Sequence, residues 1–168
     1  GGYSAKQAVR VCRRAEDLDV RWLEEPVSSD HLEQLREVRT QVAPDVTAGE
    51  YGTDSFYFRR MCAADALDCL QVDATRCGGY TGWLRAVAIA AAYGLDVSAH
   101  CAPHLHAPVA AATPGLRHIE WFHDHQRIES MFFDGIGDVH DGRLTPQTSV
   151  PGLGYVLREP DTEQFRVA

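Results

Sequence analysis

Lysine occurs once in this chain, at Lys6, and no run of basic residues interrupts its acidic excess. Sixteen Lys and Arg stand against 24 Asp and Glu, a formal charge of -8. A surface of that sign repels phosphate backbones and anionic headgroups, so neither nucleic acid nor a membrane is the expected partner. An acidic protein that takes an anionic substrate needs local help, most simply a divalent cation. Long apolar runs are also lacking, since the longest, Ala86 to Tyr93, is far too short to cross a bilayer. No CxxC pair is present. The five cysteines (Cys12, Cys62, Cys69, Cys77, Cys101) are odd in number and lie in apolar surroundings, which fits reduced thiols of a cytoplasmic protein. No GxGxxG or GxxxxGK[ST] follows a strand-like segment, which removes the usual signal of a nucleotide-binding open sheet. The chain opens Gly1-Gly2-Tyr3 with neither an initiator Met nor a signal-like segment, and its 168 residues fall short of the about 250 of a complete (β/α)8 barrel. It reads as a cut piece of a larger protein.

What is present is a repeated unit. A short β-branched or aromatic run ends in a polar residue, turns, and leads into an amphipathic helix. Strands are expected at Val20–Glu24, Val46–Glu50, Cys69–Asp73, Leu95–His100 and His118–Phe122. Helices are expected from Ser4, with Ala8, Val9, Cys12 and Ala15 on one side, and from Asp30, with Glu33 three residues on and Leu32, Leu35, Val38 and Val42 on one face. A third is capped at Thr53-Asp54 and carries Phe56, Tyr57 and Met61. A fourth is striped by Trp83, Leu84, Val87, Ala88 and Ala91 and ends at Gly94. Such α/β alternation makes a parallel sheet with helices outside it, and a partial TIM-like barrel is preferred over an open sheet.

Glu24, Glu50, Asp73, His100 and Glu120 each fall at the C-terminal end of a separate expected strand, 26, 23, 27 and 20 residues apart. Barrel enzymes build their sites from those ends. Strand ends are often polar in any case, but five in register exceed what a solvated surface produces. Glu24 and Glu50 are hard oxygen ligands suited to Mg2+. Asp73 can orient His100 and raise its basicity, while a protonated Glu120 can donate to a developing oxyanion. That set suits removal of the proton α to a carboxylate, because the resulting enediolate needs a cation and hydrogen-bond donors.

These residues sit in segments that resemble the enolase superfamily, mandelate racemase subgroup (the mandelate racemase/muconate lactonizing enzyme family). The segments are Trp22-Leu23-Glu24-Glu25-Pro26, Ala48-Gly49-Glu50, Val72 to Gly79, Ser98-Ala99-His100, Ala112-Thr113-Pro114, Ile119-Glu120-Trp121 and Pro151-Gly152-Leu153-Gly154. The resemblance covers strands four to eight of a (β/α)7β barrel, placed at residues 1–140, with residues 141–168 as a C-terminal tail packing toward a capping domain. It implies Mg2+ held by Glu24 and Glu50, a catalytic dyad of Asp73 and His100, and Glu120 bonded to the intermediate. It also implies a small carboxylate substrate, a sugar acid or hydroxy acid, and a homo-oligomer. A lysine near position 73 would point to the muconate-lactonizing subgroup, but Arg76 is the nearest cation. The capping domain, the second-strand Lys motif and the third-strand Asp ligand are expected upstream of Gly1, so the parent is the enzyme and this piece alone is expected to be inactive.

The preferred activity is acid-sugar dehydration, a lyase reaction in which one dyad serves as base and then as acid for a leaving hydroxyl. Racemisation or epimerisation of a 2-hydroxy acid, an isomerase reaction, is the alternative. A zinc hydrolase built on His100, His104 and His106, with Cys101 as a fourth ligand, is a third reading, disfavoured because Pro103 should break the helix that would align them. Glu25 is expected at the rim as a structural partner, and the histidines from His118 to His140 on the surface or in loops, with His123 and Asp124 bordering a pocket. Trp22, Trp83 and Trp121 are expected to pack, and Gly78-Gly79 to form a tight turn rather than an anion cradle.

Overall fold

The computed structural model describes residues 1–167. Five strands, β1 (Trp22–Glu24), β2 (Asp45–Ala48), β3 (Cys69–Val72), β4 (Asp96–Ala99) and β5 (Leu116–Ile119), form one sheet in sequence order. β1 pairs with β2, and β2 with β3, in parallel register. Helices α1 (Ala5–Arg14), α2 (Leu32–Arg39), α3 (Ser55–Ala63), α4 (Gly79–Ala92) and α5 (Pro103–Ala111) precede or link the strands, and α6 (His123–Phe132) follows β5. The expected partial barrel is thus present as a curled parallel half-barrel. The fifth strand begins two residues earlier than expected, and α6 occupies a stretch expected as loop.

Local chemistry explains the helix starts. Ser4 caps α1 in a reciprocal box with Gln7, and Asp54 caps α3 by accepting the Tyr57 N–H at 2.8 Å. Asp30 does not cap α2: His31 holds that position without a side-chain bond, and Ser28 Oγ accepts the Asp30 N–H instead. The apolar faces shift by a residue or two from the expected ones. Phe58, not the exposed Phe56, is buried on α3, and Trp83, Ala86, Val87 and Ala90 make the stripe on α4. That spacing of three and four is the helical repeat itself.

Register sorts the strand residues into two rows. Leu23, Val46, Ala48, Leu70 and Val72 share one face; the last four are fully buried and, with the buried sides of α2, α3 and α4, make the apolar core. Trp22, Glu24, Asp45, Thr47, Cys69 and Gln71 share the other. Thr47 and Gln71 are fully buried there, and Thr47 Oγ1 donates to the Cys69 carbonyl at 3.0 Å. A buried polar row belongs to the inside of a curled sheet. Five flat strands would set β1 and β5 about 19 Å apart, yet the rings of Trp22 and His118, on those two strands, meet edge to face at 4.4 Å.

The chain divides into two compact units, Gly1–Ser98 with Thr113–His118, and Ala99–Ala112 with the chain from Ile119 onward. In the second, β6 (Phe133–Asp134) pairs antiparallel with β9 (Val156–Leu157), and β7 (Val139–His140) with β8 (Arg143–Leu144); α7 (Glu159–Thr162) follows. At the N-terminal ends of the strands in the first unit, Arg117 donates to Asp96 at 2.9 Å, to Asp45 at 2.5 Å and to the Asp68 carbonyl. Arg117→Met is expected to lower the unfolding free energy by about 1–3 kcal/mol, a charge-assisted set discounted for partial exposure. Urea titration monitored by circular dichroism checks this.

Candidate active site

Each predicted site residue stands at the C-terminal end of its strand. Glu24 is the last residue of β1, Asp73, His100 and Glu120 directly follow β3, β4 and β5, and Glu50 lies two residues past β2. Glu24, Glu50 and Asp73 belong to the first unit, His100 and Glu120 to the second.

In the first unit the strand ends are crowded with negative charge. Trp22 Nε1 donates to Glu24 Oε2 at 3.3 Å, which holds that carboxylate on the polar row. Glu25 takes a left-handed φ of 38°, turning the chain away from β1 while its N–H still donates to the Thr47 carbonyl. Burial, reinforced by the charge of Glu50, pushes the Glu25 carboxyl above its ordinary range, and its Oε1 is buried without a hydrogen-bond partner. Gly49 carries φ 139°, and a Cβ there would lie 2.2 Å from the Gln71 carbonyl oxygen. Only glycine brings the chain into Glu50 along this path. Asp73, 3% exposed, accepts from the N–H and the hydroxyl of Thr75, both at 2.7 Å. Arg76 places its guanidinium 3.2 Å from Glu50 Oε1 and 3.5 Å from Asp73 Oδ2. Sequence reading gave Arg76 no structural role, although its i,i+3 spacing from Asp73 was a usable signal.

In the second unit His100 is buried, and its Nε2 lies 3.2 Å from Cys101 Sγ. Cys101 and Ala102 both adopt left-handed backbone, φ 50° and 37°. The Cys101 N–H donates to Glu120 Oε2 at 2.8 Å, and the Ala102 N–H to His125 Nδ1 at 3.2 Å. His106, fully buried, directs Nδ1 at the carbonyls of Cys101 and Ala102, 2.9 and 3.0 Å away. It donates to both and pins the turn behind His100. Pro103 opens α5 instead of breaking it, because the first helical position needs no N–H. His104 and His106, two apart on that helix, point different ways. His104 meets the Glu129 carboxylate through Nδ1 and donates to the Gly137 carbonyl through Nε2 at 2.6 Å. Both nitrogens are thus committed to protein partners, so the expected zinc set of His100, His104 and His106 with Cys101 is not assembled. Among the described residues, the one group of three or more His, Cys, Asp or Glu ligand atoms lying mutually within 4.8 Å is His100, Cys101 and Glu120.

The outlying side chains fall where packing puts them. Trp83 is fully buried and donates to Thr113 Oγ1 at 2.8 Å, while Trp121 is partly exposed and lies edge-on to His104. His123 and Asp124 are exposed at the start of α6, and the described cysteines are all free thiols.

A model of the enolase C-terminal domain-like family matches residues 1–161. The chain belongs to that family. The enolase-type chain is 38% identical, with a TM-score of 0.92, to a mandelate racemase/muconate lactonizing enzyme-like protein from Rubrobacter xylanophilus, covering 98% of this chain and 46% of that one. It is 29% identical, TM-score 0.89, to an enolase from Bradyrhizobium crystallised with magnesium and mandelic acid, covering 98% and 44%. Among curated proteins, L-talarate/galactarate dehydratase of Salmonella typhimurium is 27% identical over 160 residues, 94% of this chain. The chain spans 38% of that dehydratase's length.

His104 supplies a pH test of the second unit. Burial alone would lower its pKa, but Glu129 and the Gly137 carbonyl outweigh burial and hold it above the ordinary histidine value. A folded pKa above the unfolded one adds stability that is full below about pH 6.5 and fades as pH rises through the raised value. The stability difference between the chain and Glu129→Gln is therefore expected to be largest near about pH 5.5 and to shrink toward about pH 8.5. Urea unfolding across that range measures it, and a difference that grows with pH contradicts the assignment.

Proposed function

We propose that the protein of which this chain is the enolase-type domain abstracts the proton α to a carboxylate with the help of Mg2+, and that its reaction is dehydration of an acid sugar. One observation carries the reading: Glu24, Glu25 and Glu50 are gathered at neighbouring strand ends with an orphaned buried oxygen and a carboxyl raised by burial and by its neighbour's charge. A site of that kind calls for a cation, and its donors are the hard oxygens that Mg2+ prefers. Glu24 and Glu50 would hold the ion, which supplies positive charge to the oxygens of a substrate carboxylate.

The side chains do the rest. His100 takes the α proton, with Asp73 setting its orientation and basicity. Because the Cys101 N–H occupies Oε2 of Glu120, a proton donated by that carboxyl to the enediolate is carried on Oε1. The enediolate then expels the β hydroxyl, His100 returns the proton to it as water leaves, and the remaining enol tautomerises to a 2-keto acid. The dehydratase among the relatives favours this outcome. Racemisation or epimerisation of a 2-hydroxy acid shares the first step, and the relative crystallised with mandelic acid keeps it as the second reading. In the same proposal, residues 141–168 pack toward a capping domain, the assembly is a homo-oligomer without nucleic acid or membrane, and the free cysteines fit a cytoplasmic setting. No helix among the described residues is long and apolar enough to cross a membrane.

Calorimetric titration with Mg2+ tests the reading on the chain joined to the upstream segments its relatives carry. Glu50→Gln is expected to weaken binding by about 10–100-fold or more, and His100→Asn to lower 2-keto acid formation from acid sugars by about 10²–10⁴-fold while Mg2+ still binds. Mg2+ affinity unchanged by Glu50→Gln overturns it.

A further inference from the structure

The second unit carries a thiol that the proposed proton abstraction does not use. Cys101 stands beside His100 with Sγ 3.2 Å from Nε2, and Glu120 completes a group whose ligand atoms all lie within 4.8 Å of one another. Neighbouring residues on an extended chain face opposite ways. Here the left-handed φ of 50° at Cys101 breaks that alternation and brings thiol and imidazole to the same side. Zn–S near 2.3 Å and Zn–N near 2.05 Å, at a tetrahedral angle, put the two ligand atoms about 3.5 Å apart. The observed spacing therefore needs little adjustment, and Glu120 has only to turn its carboxylate.

We infer that His100, Cys101 and Glu120 form a binding site for a soft divalent cation of the Zn2+ type, separate in ligand chemistry from the carboxylates that suit Mg2+. One nitrogen, one sulfur and one oxygen leave a fourth tetrahedral position for water. The thiol makes the choice of metal, since thiolate favours Zn2+ and Co2+ over Mg2+. On binding, Cys101 gives up its S–H proton to solvent, His100 ligates as neutral imidazole, and Glu120 as carboxylate. The turn is already held: His106 grips the Cys101 and Ala102 carbonyls, and His125 accepts the Ala102 N–H. Such outlying bonds fix ligand orientation before the metal arrives. Occupancy would take the imidazole out of proton transfer, so the ion would act as an inhibitor; that consequence, unlike the binding itself, rests on the proposed function.

The test is anaerobic titration of the full chain with Co2+ in excess Mg2+, read by absorption, followed by displacement with Zn2+. One Co2+ per chain is expected, with a near-ultraviolet thiolate-to-cobalt charge-transfer band and tetrahedral visible bands. Cys101→Ser should abolish the charge-transfer band and weaken Zn2+ binding at least by the about 10–100-fold that loss of an outlying partner alone costs. Glu120→Gln should weaken binding but keep the band, and Cys12→Ser should change neither. No band, or a band that survives in Cys101→Ser, overturns the inference. Should Cys101→Ser fail to fold, the unmodified chain decides: Zn2+ must protect Cys101 from alkylation by iodoacetamide, located by peptide mass spectrometry, and unprotected alkylation overturns the site. None of these readouts depends on enzymatic turnover, so failure here leaves the Mg2+ reading standing, and the reverse.

Discussion

The first unit depends on the ion-pair hub at Arg117. From the second residue of β5 its guanidinium reaches the first residues of β2 and β4 and the carbonyl that leads into β3. Asp68 extends the hub, accepting the Val46 N–H at 2.9 Å and pairing with Arg39 at 2.8 Å. One planar fork can satisfy acceptors from three strands only if the strands are drawn round it, and a flat sheet would carry β2 out of reach of β5. The contact between Trp22 and His118 is the same curl seen through another pair of side chains. With one end gathered on a cation, the row of Thr47, Gln71 and Glu24 is turned to the inner side, where a polar lining is possible.

The two ends of these strands therefore carry opposite designs. The N-terminal ends neutralise aspartates with arginine and are complete as they stand. The C-terminal ends of β1 and β2 gather Glu24, Glu25 and Glu50, with Arg76 paired to Glu50, and one Glu25 oxygen is left buried and unpaired. Buried like charges cost free energy unless something offsets them. Gly49, which could not carry a side chain without striking the Gln71 carbonyl, delivers Glu50 into this crowd, so the backbone is shaped for it as well. The fold thus resolves its charges at one end of these strands and concentrates them at the other.

Strand positions, and with them Glu24, Glu50, Asp73, His100 and Glu120, were legible in the sequence because β-branched runs with period two end abruptly in a polar residue. Helix existence was legible for the same kind of reason, but the buried faces of α3 and α4 were misplaced by a residue or two. Phe56 and Phe58 are equally apolar, and only the packing partner decides between them. The left-handed pair Cys101-Ala102 was hidden for a firmer reason. Positive φ is normally announced by Gly or Asn, and here it is imposed on two residues that give no such signal by bonds from His106, His125 and Glu120. Helix α6 was read as loop because histidine and charged residues outnumber apolar ones at its start.

The histidine-rich stretch from His100 to His106 shows how spacing misleads when partners are unknown. Read along the chain, His100, His104 and His106 with Cys101 look like zinc ligands, and Pro103 looks like the reason they cannot be. The structure reverses both steps. Pro103 starts α5, and the helix then sends His104 toward Glu129 and Gly137 and His106 back toward the Cys101 and Ala102 carbonyls. Each ring is committed to holding backbone or a neighbouring helix, and a nitrogen that already donates to a carbonyl has no lone pair for a metal. Cys101 is left beside His100, the histidine that directly follows β4, so the soft-ligand character of the stretch moves from the helix to the strand end. The acceptors that claim His104 come from α6 and the loop beyond it, more than twenty residues away, whereas those that claim His106 are the carbonyls of the adjoining turn.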